Sequence, residues 1–279
     1  MAKNENAAPL LFDRSLLRAR QERARRGEMA TFLLDRVADD MAERLQAVTR
    51  KFAVAADIWT PGSALPERAP SAIAISHIKS GVSESLPFPP ESLDVAVSAL
   101  AFQFVNDLPG VLAQIRRALR PDGLLLAAMI GGDTLTELRQ SFAAAEAECE
   151  GGVSPRVAPF ADLRDVGGLL QRAGFALPVT DVDRVVVRYD DAFALMADLR
   201  RMGATNILLE RRRTFTRRAT MLRMAEIYAT RFADADGRIR ATFEVIWLSG
   251  WAPHESQQQP LRPGSAKKSL EAAVKGAKK

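Results

Sequence analysis

Polar residues follow the ends of several short apolar runs, and these are the positions at which the chain could do chemistry. Asp57 ends the run FAVAADI and precedes a loop that contains Gly62, where a backbone without a Cβ can approach a ligand closely. Parallel strands joined by crossover helices bind ligands beyond their carboxyl ends. We therefore predict a ligand site, although Asp57 could equally cap a strand end. The predicted strand ends are at Asp57 to Ser63, Ser76 to Lys79, Ala99 to Asp107 and Met129 to Thr134.

Two further groups of residues are candidates for contact with a substrate or partner. Gln103, Asn106 and Asp107 follow an uninterrupted apolar run, and Gly132 and Asp133 follow another. The first group could face a substrate or could cap the helix that begins at about 108. The second could let a ligand approach the backbone or could form a plain turn. The sequence leaves both pairs of alternatives open.

Composition excludes several kinds of chemistry. Cys149 is the single cysteine and the chain has two histidines, so an intramolecular disulfide, a thiolate zinc cluster and a scheme with several imidazoles are all excluded. We predict no metal site and assign no catalytic residue. There is no run of 18 apolar residues, so we predict no membrane-spanning helix.

Arginine dominates the positive charge, which gives a net charge of +5. The segment 200–223 contains eight arginines and Glu210 as its one acid. Such a patch can meet an acidic protein, nucleic acid or an anionic membrane, or it can be a solvated helix face. The chain offers few aromatic residues for base stacking, which disfavours nucleic acid. We expect a protein partner at this patch, at Arg211, Arg212 and Arg213.

The apolar patterns predict an α/β domain with one mostly parallel sheet. Pro121-Asp122-Gly123 predicts a tight turn with the positive φ at Gly123, and Thr134 with Glu137 predicts a capping box. We divide the chain into N-terminal helices (1–50), a main domain (51–254) with a helical insertion (191–232), and a flexible basic tail (255–279). Strands are predicted at about 52–58, 72–76, 93–99, 124–130, 180–189 and 241–250, and helices at 14–26, 30–50, 108–120, 134–150, 166–175, 191–202 and 216–232.

Several short strings, in order and spacing, resemble a known family. ESLDVAVSALAFQFVNDLPG resembles the half of class I methyltransferases that follows the cofactor loop. More closely, the chain resembles the assembly factor 5 family of respiratory complex I and its alphaproteobacterial relatives. The strings that carry this resemblance are VNDLPG, GGDTLTELR, GG-SP-APF, LLQRAGF, MG-TN and GW-HESQ.

The resemblance implies a Rossmann-like class I methyltransferase fold with the last strand antiparallel and a helical insertion before it. It also implies an S-adenosylmethionine (SAM) type site, a link to complex I and, as the family's best-described activity, hydroxylation of a protein arginine. The family's substrate-facing groups would fall at Gln103, Asn106 and Asp107. The cofactor positions would fall at Asp57, Gly62, Ser76, Glu84, Ala99 and Leu100.

The cofactor segment departs from the family pattern at several points. Trp59 and Pro61 stand where small, permissive residues are expected, and the acid expected after the second strand is replaced by Ser76-His77. The helix after the loop has little room. We therefore predict weak SAM binding.

These observations are consistent with three functions. The chain is a SAM-type enzyme that modifies a protein arginine, a cofactor-free pseudoenzyme that binds a complex I subunit or assembly intermediate, or, least favoured, a nucleic-acid-binding module. The expected location is the cytoplasm for a bacterial protein and the mitochondrial matrix for a eukaryotic one.

Overall fold

The fold is described by a computed structural model for residues 10–62, 64–68 and 74–258. Residues 72–73 of the second predicted strand and residues 259–279 of the predicted flexible tail lie outside the described residues. The strands are β1 (Val54–Ile58), β2 (Ala74–Ile78), β3 (Leu93–Ala99), β4 (Leu119–Ile130), β5 (Ala176–Tyr189) and β6 (Ile239–Trp251). The helices are α1 (Arg14–Arg26), α2 (Phe32–Gln46), α3 (Ala64–Arg68), α4 (Leu108–Ala118), α5 (Thr136–Glu150), α6 (Leu163–Arg172), α7 (Ala192–Arg201) and α8 (Arg218–Phe232).

The six strands form one sheet in the order β2-β1-β3-β4-β6-β5. β1 pairs in parallel with β2 and β3, and β3 pairs in parallel with β4. β6 lies between β4 and β5 and is antiparallel to both. The predicted α/β fold, with only the last strand reversed and α7 and α8 inserted before it, is therefore confirmed.

Alternate residues of the central strands bury their side chains on opposite faces of the sheet. In β3, Val95 and Val97 join the larger apolar core beneath α2, α5, α7 and α8, whereas Ala96 joins the second core beneath α4 and α6. β3 is hydrophobic on both faces because helices cover both faces. The N-terminal segment adds a small third cluster, in which Phe12 packs with Phe104 and Leu208.

The Pro121-Asp122-Gly123 segment corrects the predicted turn. β4 already begins at Leu119, and the positive φ falls on Asp122 (68°) rather than on Gly123. Asp122 donates its backbone N–H to the Ala252 carbonyl. Gly123 is needed for a different reason: a Cβ there would lie 2.9 Å from the Arg120 carbonyl oxygen. The glycine allows close approach of two backbones instead of providing the turn.

The predicted capping box at Thr134 and Glu137 is also wrong. α5 begins at Thr136, and its N-cap is Leu135 with φ 54°. The Thr134 hydroxyl accepts a hydrogen bond from the Glu244 N–H at 2.9 Å, and the Glu137 carboxylate accepts from the Thr242 N–H at 3.2 Å. Both side chains bind the neighbouring strand β6, whose backbone supplies the donors. A pattern local in the sequence does not reveal these distant partners.

Candidate functional site

The carboxyl ends of β1 to β4 meet at one edge of the sheet, and the chain order reverses between β1 and β3. This is the position at which open α/β sheets bind ligands. Asp57 lies at this edge, fully buried, and its Oδ2 is 2.8 Å from His77 Nδ1. Its Oδ1 is buried with no hydrogen-bond partner in the described part of the chain. Burial raises the pKa of Asp57, and the contacts with Thr60 and His77 oppose that shift.

His77 is a site residue that the sequence analysis missed. β2 ends at Ile78, two residues later than predicted, and His77 pairs in register with Asp57. Successive side chains of a strand point to opposite faces, so the predicted Ser76 lies on the other face, and it is exposed. The period-two register between the two strands is the signal that would have selected His77.

The loop after β1 keeps a left-handed backbone but carries a bulky side chain. Trp59 has φ 63°, a conformation that costs a residue with a side chain about 1–2 kcal/mol. Its backbone N–H donates to the Ile78 carbonyl at 2.9 Å, and its buried indole packs edge-on against Phe102. Gly62 also has a positive φ, 75°, with no described atom within 4 Å of the position a Cβ would take. The indole therefore lies buried at the end of β1.

Arg14 of α1 closes this edge of the sheet. Its Cζ lies 4.9 Å from the centre of the Trp59 ring, and its Nη2 donates to the Gly81 carbonyl at 2.9 Å. The side chain is almost completely buried, and its Nε is 3.6 Å from Glu84 Oε1. Burial lowers the pKa of Arg14, and the Glu84 carboxylate partly offsets this. The sequence did not indicate that the first helix would reach the strand ends.

The predicted residues Glu84, Asn106 and Asp107 make internal contacts. The Glu84 carboxylate accepts hydrogen bonds from the backbone N–H groups of Asn106 and Asp107, at 2.8 and 2.9 Å. The Asn106 side-chain oxygen accepts from the N–H groups of Leu11 and Phe12. Asp107 caps α4 by accepting from the Gly110 N–H at 2.9 Å. The capping alternative therefore holds for Asp107, and Asn106 fastens the N-terminal segment.

Ala99, Leu100 and Gln103 remain at the site. The Ala99 N–H donates to the Thr60 hydroxyl, and Leu100 has φ 52°. Gln103 is buried, and its amide donates to the Leu100 carbonyl at 2.7 Å. Leu100 and Gln103 line an apolar cavity of about 90 Å³, which we call the inner cavity. Its wall also includes Pro61 and Thr134 near the strand ends, Gln21 of α1 and Leu33 of α2. Both N-terminal helices and the strand ends therefore enclose it.

Gly132 and Asp133 are not brought into this cavity. The Gly132 carbonyl accepts a hydrogen bond from Arg139, and Asp133 forms an ion pair with Arg184 at the surface. These contacts favour the turn alternative. Across the described ranges, no group of three or more His, Cys, Asp or Glu side chains could hold a metal ion.

The three arginines expected to form one partner patch have different environments. Arg211 pairs with Asp13 at 3.4 Å, and Arg212 pairs with Glu150. Arg213 is exposed and forms no ion pair with any residue that the structure describes. All three lie in the loop between α7 and α8. Arg211 and Arg212 thus each pair with an acid of the chain, and the expectation that all three arginines contact a protein partner stays a prediction.

Comparison with known proteins defines the class. A family model described as a methyltransferase domain matches residues 37–127. A solved Bacillus halodurans structure, described as a methyltransferase, has a TM-score of 0.50 at 16% identity and covers 77% of this chain and 99% of its own. The chain is thus a methyltransferase-domain protein with the class I fold. None of the described helices has the length and apolar character needed to cross a membrane.

Curated relatives define the family more narrowly. The Homo sapiens protein named arginine-hydroxylase NDUFAF5, mitochondrial, is 36% identical over 280 residues, which is 92% of this chain and 81% of the relative. Its Dictyostelium discoideum counterpart is 46% identical over 179 residues, but the match spans 64% of this chain and 41% of that relative. The chain belongs to the NDUFAF5 arginine-hydroxylase family, which confirms the resemblance seen in the sequence.

Proposed function

We propose that this protein modifies an arginine side chain of a protein client during assembly of respiratory complex I, by hydroxylation as the relatives' name indicates. The observation that carries this proposal is the inner cavity. Its apolar wall suits the methylene groups of an arginine side chain. The Gln103 amide oxygen accepts one hydrogen bond from the Ile130 N–H at 3.4 Å, and its second lone pair can accept another from a guanidinium group. We infer that Gln103 contacts the client arginine. The corresponding location is the cytoplasm of a bacterium or the mitochondrial matrix.

For the cofactor, we propose that SAM binds weakly or not at all. The buried indole of Trp59 lies where a glycine-rich loop would leave room, and the Arg14 guanidinium lies over it. Near the carboxyl end of β2 the chain carries His77 rather than a carboxylate that could accept hydrogen bonds from ribose hydroxyls. The described part of the helix after the loop, α3, spans Ala64–Arg68. The orphaned Oδ1 of Asp57 is the one feature that fits a polar ligand here.

A second function, a cofactor-free assembly factor, is favoured by the same Trp59 and Arg14 packing. The two functions differ in what the client arginine becomes. Cells lacking the protein are complemented with the wild type, with Gln103→Leu, or with Gln46→Leu as an exposed control, and complex I subunits are examined by mass spectrometry. Cells are used because hydroxylation needs an oxidant.

An enzyme restores an arginine heavier by one oxygen atom with the wild type and Gln46→Leu, and little of it with Gln103→Leu. Assembly restored by all three chains, with no modified arginine, identifies an assembly factor. A methylated arginine in the client would show that the reaction is methyl transfer and not hydroxylation.

A further inference from the structure

A second cavity, of about 270 Å³, lies between α1, α5 and the loop before α8. We call it the arginine cavity, because five arginines and no acid line it. Apolar side chains, including Leu138, Phe142 and Ile207, form most of the rest of its wall, together with Thr205 and Asn206. The arginines are Arg20, Arg156, Arg200, Arg211 and Arg212.

Three of these arginines are paired with acids that do not line the cavity. Arg156 pairs with buried Glu146, and Arg211 and Arg212 pair with Asp13 and Glu150 as described above. The Arg156 Nη1 also donates to the Thr216 hydroxyl at 2.8 Å. These guanidinium groups are therefore held in fixed positions, which lowers the entropy cost of binding a ligand.

The other two arginines leave the cavity with uncompensated positive charge. Arg20 and Arg200 form no salt bridge within 4.0 Å with any acid in the described part of the chain. Arg20 donates to the Asn206 carbonyl, a neutral partner. Burial lowers the pKa of Arg20, the neighbouring Arg211 and Arg23 lower it further, and Asp13 partly offsets these effects. An anion entering the cavity would relieve this repulsion.

The arginine cavity adjoins the inner cavity. Phe104, Leu135, Phe160, Leu199 and Ala204 line both. Two of the strings that carried the family resemblance, GG-SP-APF and MG-TN, contribute residues to the arginine cavity, among them Ala158 and Asn206. One extended peptide could therefore place neighbouring side chains in both cavities.

We propose that the arginine cavity binds an acidic side chain of the client, close in sequence to the arginine that enters the inner cavity. This inference rests on the proposed function, because it makes the acid part of the same client segment. Arg20 and the exposed Arg200 supply the unpaired charge for this carboxylate. Charge-assisted hydrogen bonds of this kind are stronger than neutral ones.

The test measures binding of short synthetic peptides to the full chain by calorimetry. One peptide has a central arginine with glutamate on either side at a short spacing, and its partner has glutamine in place of glutamate. We expect the glutamate peptide to bind about tenfold more tightly at low salt, with a smaller ratio at high salt. Equal affinities, or no binding of either peptide at millimolar concentration, would overturn the proposal.

Variants then locate the effect within the molecule. Arg200→Gln is expected to lower the preference for glutamate about fivefold, whereas Arg18→Gln, which removes the same charge from an exposed position of α1 that does not line the cavity, should leave it unchanged. Unfolding in urea checks that both variants are folded. An equal loss in both variants would assign the preference to general surface charge and contradict the proposal.

A second pair of peptides separates the two proposals: glutamine replaces the central arginine in both, and the flanking residues are glutamate in one and glutamine in the other. If this pair keeps the preference for glutamate, and the client arginine is not modified in cells, the arginine cavity is supported while the proposed function fails. Equal affinities within this pair would contradict an independent acidic subsite.

Discussion

The guanidinium group of Arg14 lies over the indole ring of Trp59, with 4.9 Å between Arg14 Cζ and the ring centre. The contact joins the start of α1 to the loop after β1, although the two residues are far apart in the sequence. Both side chains are almost fully buried. The N-terminal helix is thus part of the site edge.

Replacing Arg14 by alanine should destabilise the protein by about 2–4 kcal/mol. The change removes hydrogen bonds to the Gly81 and Phe104 carbonyls and leaves Glu84 without its cation. Urea denaturation measures the difference. Arg18→Ala is the matched control, since Arg18 is exposed on the same helix and should change the unfolding free energy by less than about 0.5 kcal/mol. Similar losses in both variants would contradict the described role of Arg14.

The Asp57→Asn variant should alter the pH dependence of stability. Because burial raises the pKa of Asp57, the folded state favours its protonated form. The contribution of Asp57 to the unfolding free energy is therefore fully present at pH values below 3.8, the ordinary pKa of this carboxyl group. That contribution is lost as the pH rises through the raised pKa. We expect the unfolding free energy of the wild type, relative to Asp57→Asn, to fall across that window. A difference that stays constant with pH, or rises, would show that the pKa of Asp57 is not raised.

Glu146→Gln should be strongly destabilising and should loosen the arginine cavity. Glu146 accepts a hydrogen bond from the Ser154 N–H at 2.7 Å and pairs with Arg156. Burial opposes its ionisation, but the contacts from Ser154 and Arg156 prevail and lower its pKa. Removing the charge leaves Arg156 without its acid, at a cost of about 3–5 kcal/mol. Glu148→Gln, on the exposed side of α5, should have a much smaller effect in the same urea titration.

Glu146 also makes the unfolding free energy of the wild type depend on pH. A carboxylate whose pKa is lowered in the folded state stabilises the protein at pH values above its ordinary pKa. That contribution is lost as the pH falls through the lowered pKa. The stability difference between the wild type and Glu146→Gln should therefore shrink in acid. A difference that grows in acid would contradict the assignment.

Arg212→Glu and Arg213→Glu should separate folding from partner binding. Arg212→Glu places a second acid beside Glu150, so we expect a clear loss of stability, whereas Arg213→Glu should leave stability nearly unchanged. Recovery of complex I assembly intermediates in pull-downs, at low and moderate salt, then tests Arg213 as a partner contact. Equal recovery with wild type and Arg213→Glu at both salt levels would mean that this arginine is only solvated.

The sheet could be predicted from the sequence because buried strands and amphipathic helices have distinct periods. Much of the site could not. The Asp57–His77 contact depends on the register between two strands, and a shift of two residues in the end of β2 moved the assignment to Ser76. Arg14 reaches Trp59 only through tertiary packing, and Arg211 and Arg212 pair with Asp13 and Glu150, which are distant in sequence. Local patterns contain no signal for such pairings.

The most direct test of the central claim is a calorimetric titration of the purified wild-type chain with SAM. We propose that Trp59 and Arg14 occupy the edge where a cofactor loop would lie and that His77 stands in place of a ribose-binding acid. We therefore expect no saturable heat at micromolar SAM. A micromolar dissociation constant for the native chain would contradict this proposal and would identify the protein as a SAM-binding enzyme.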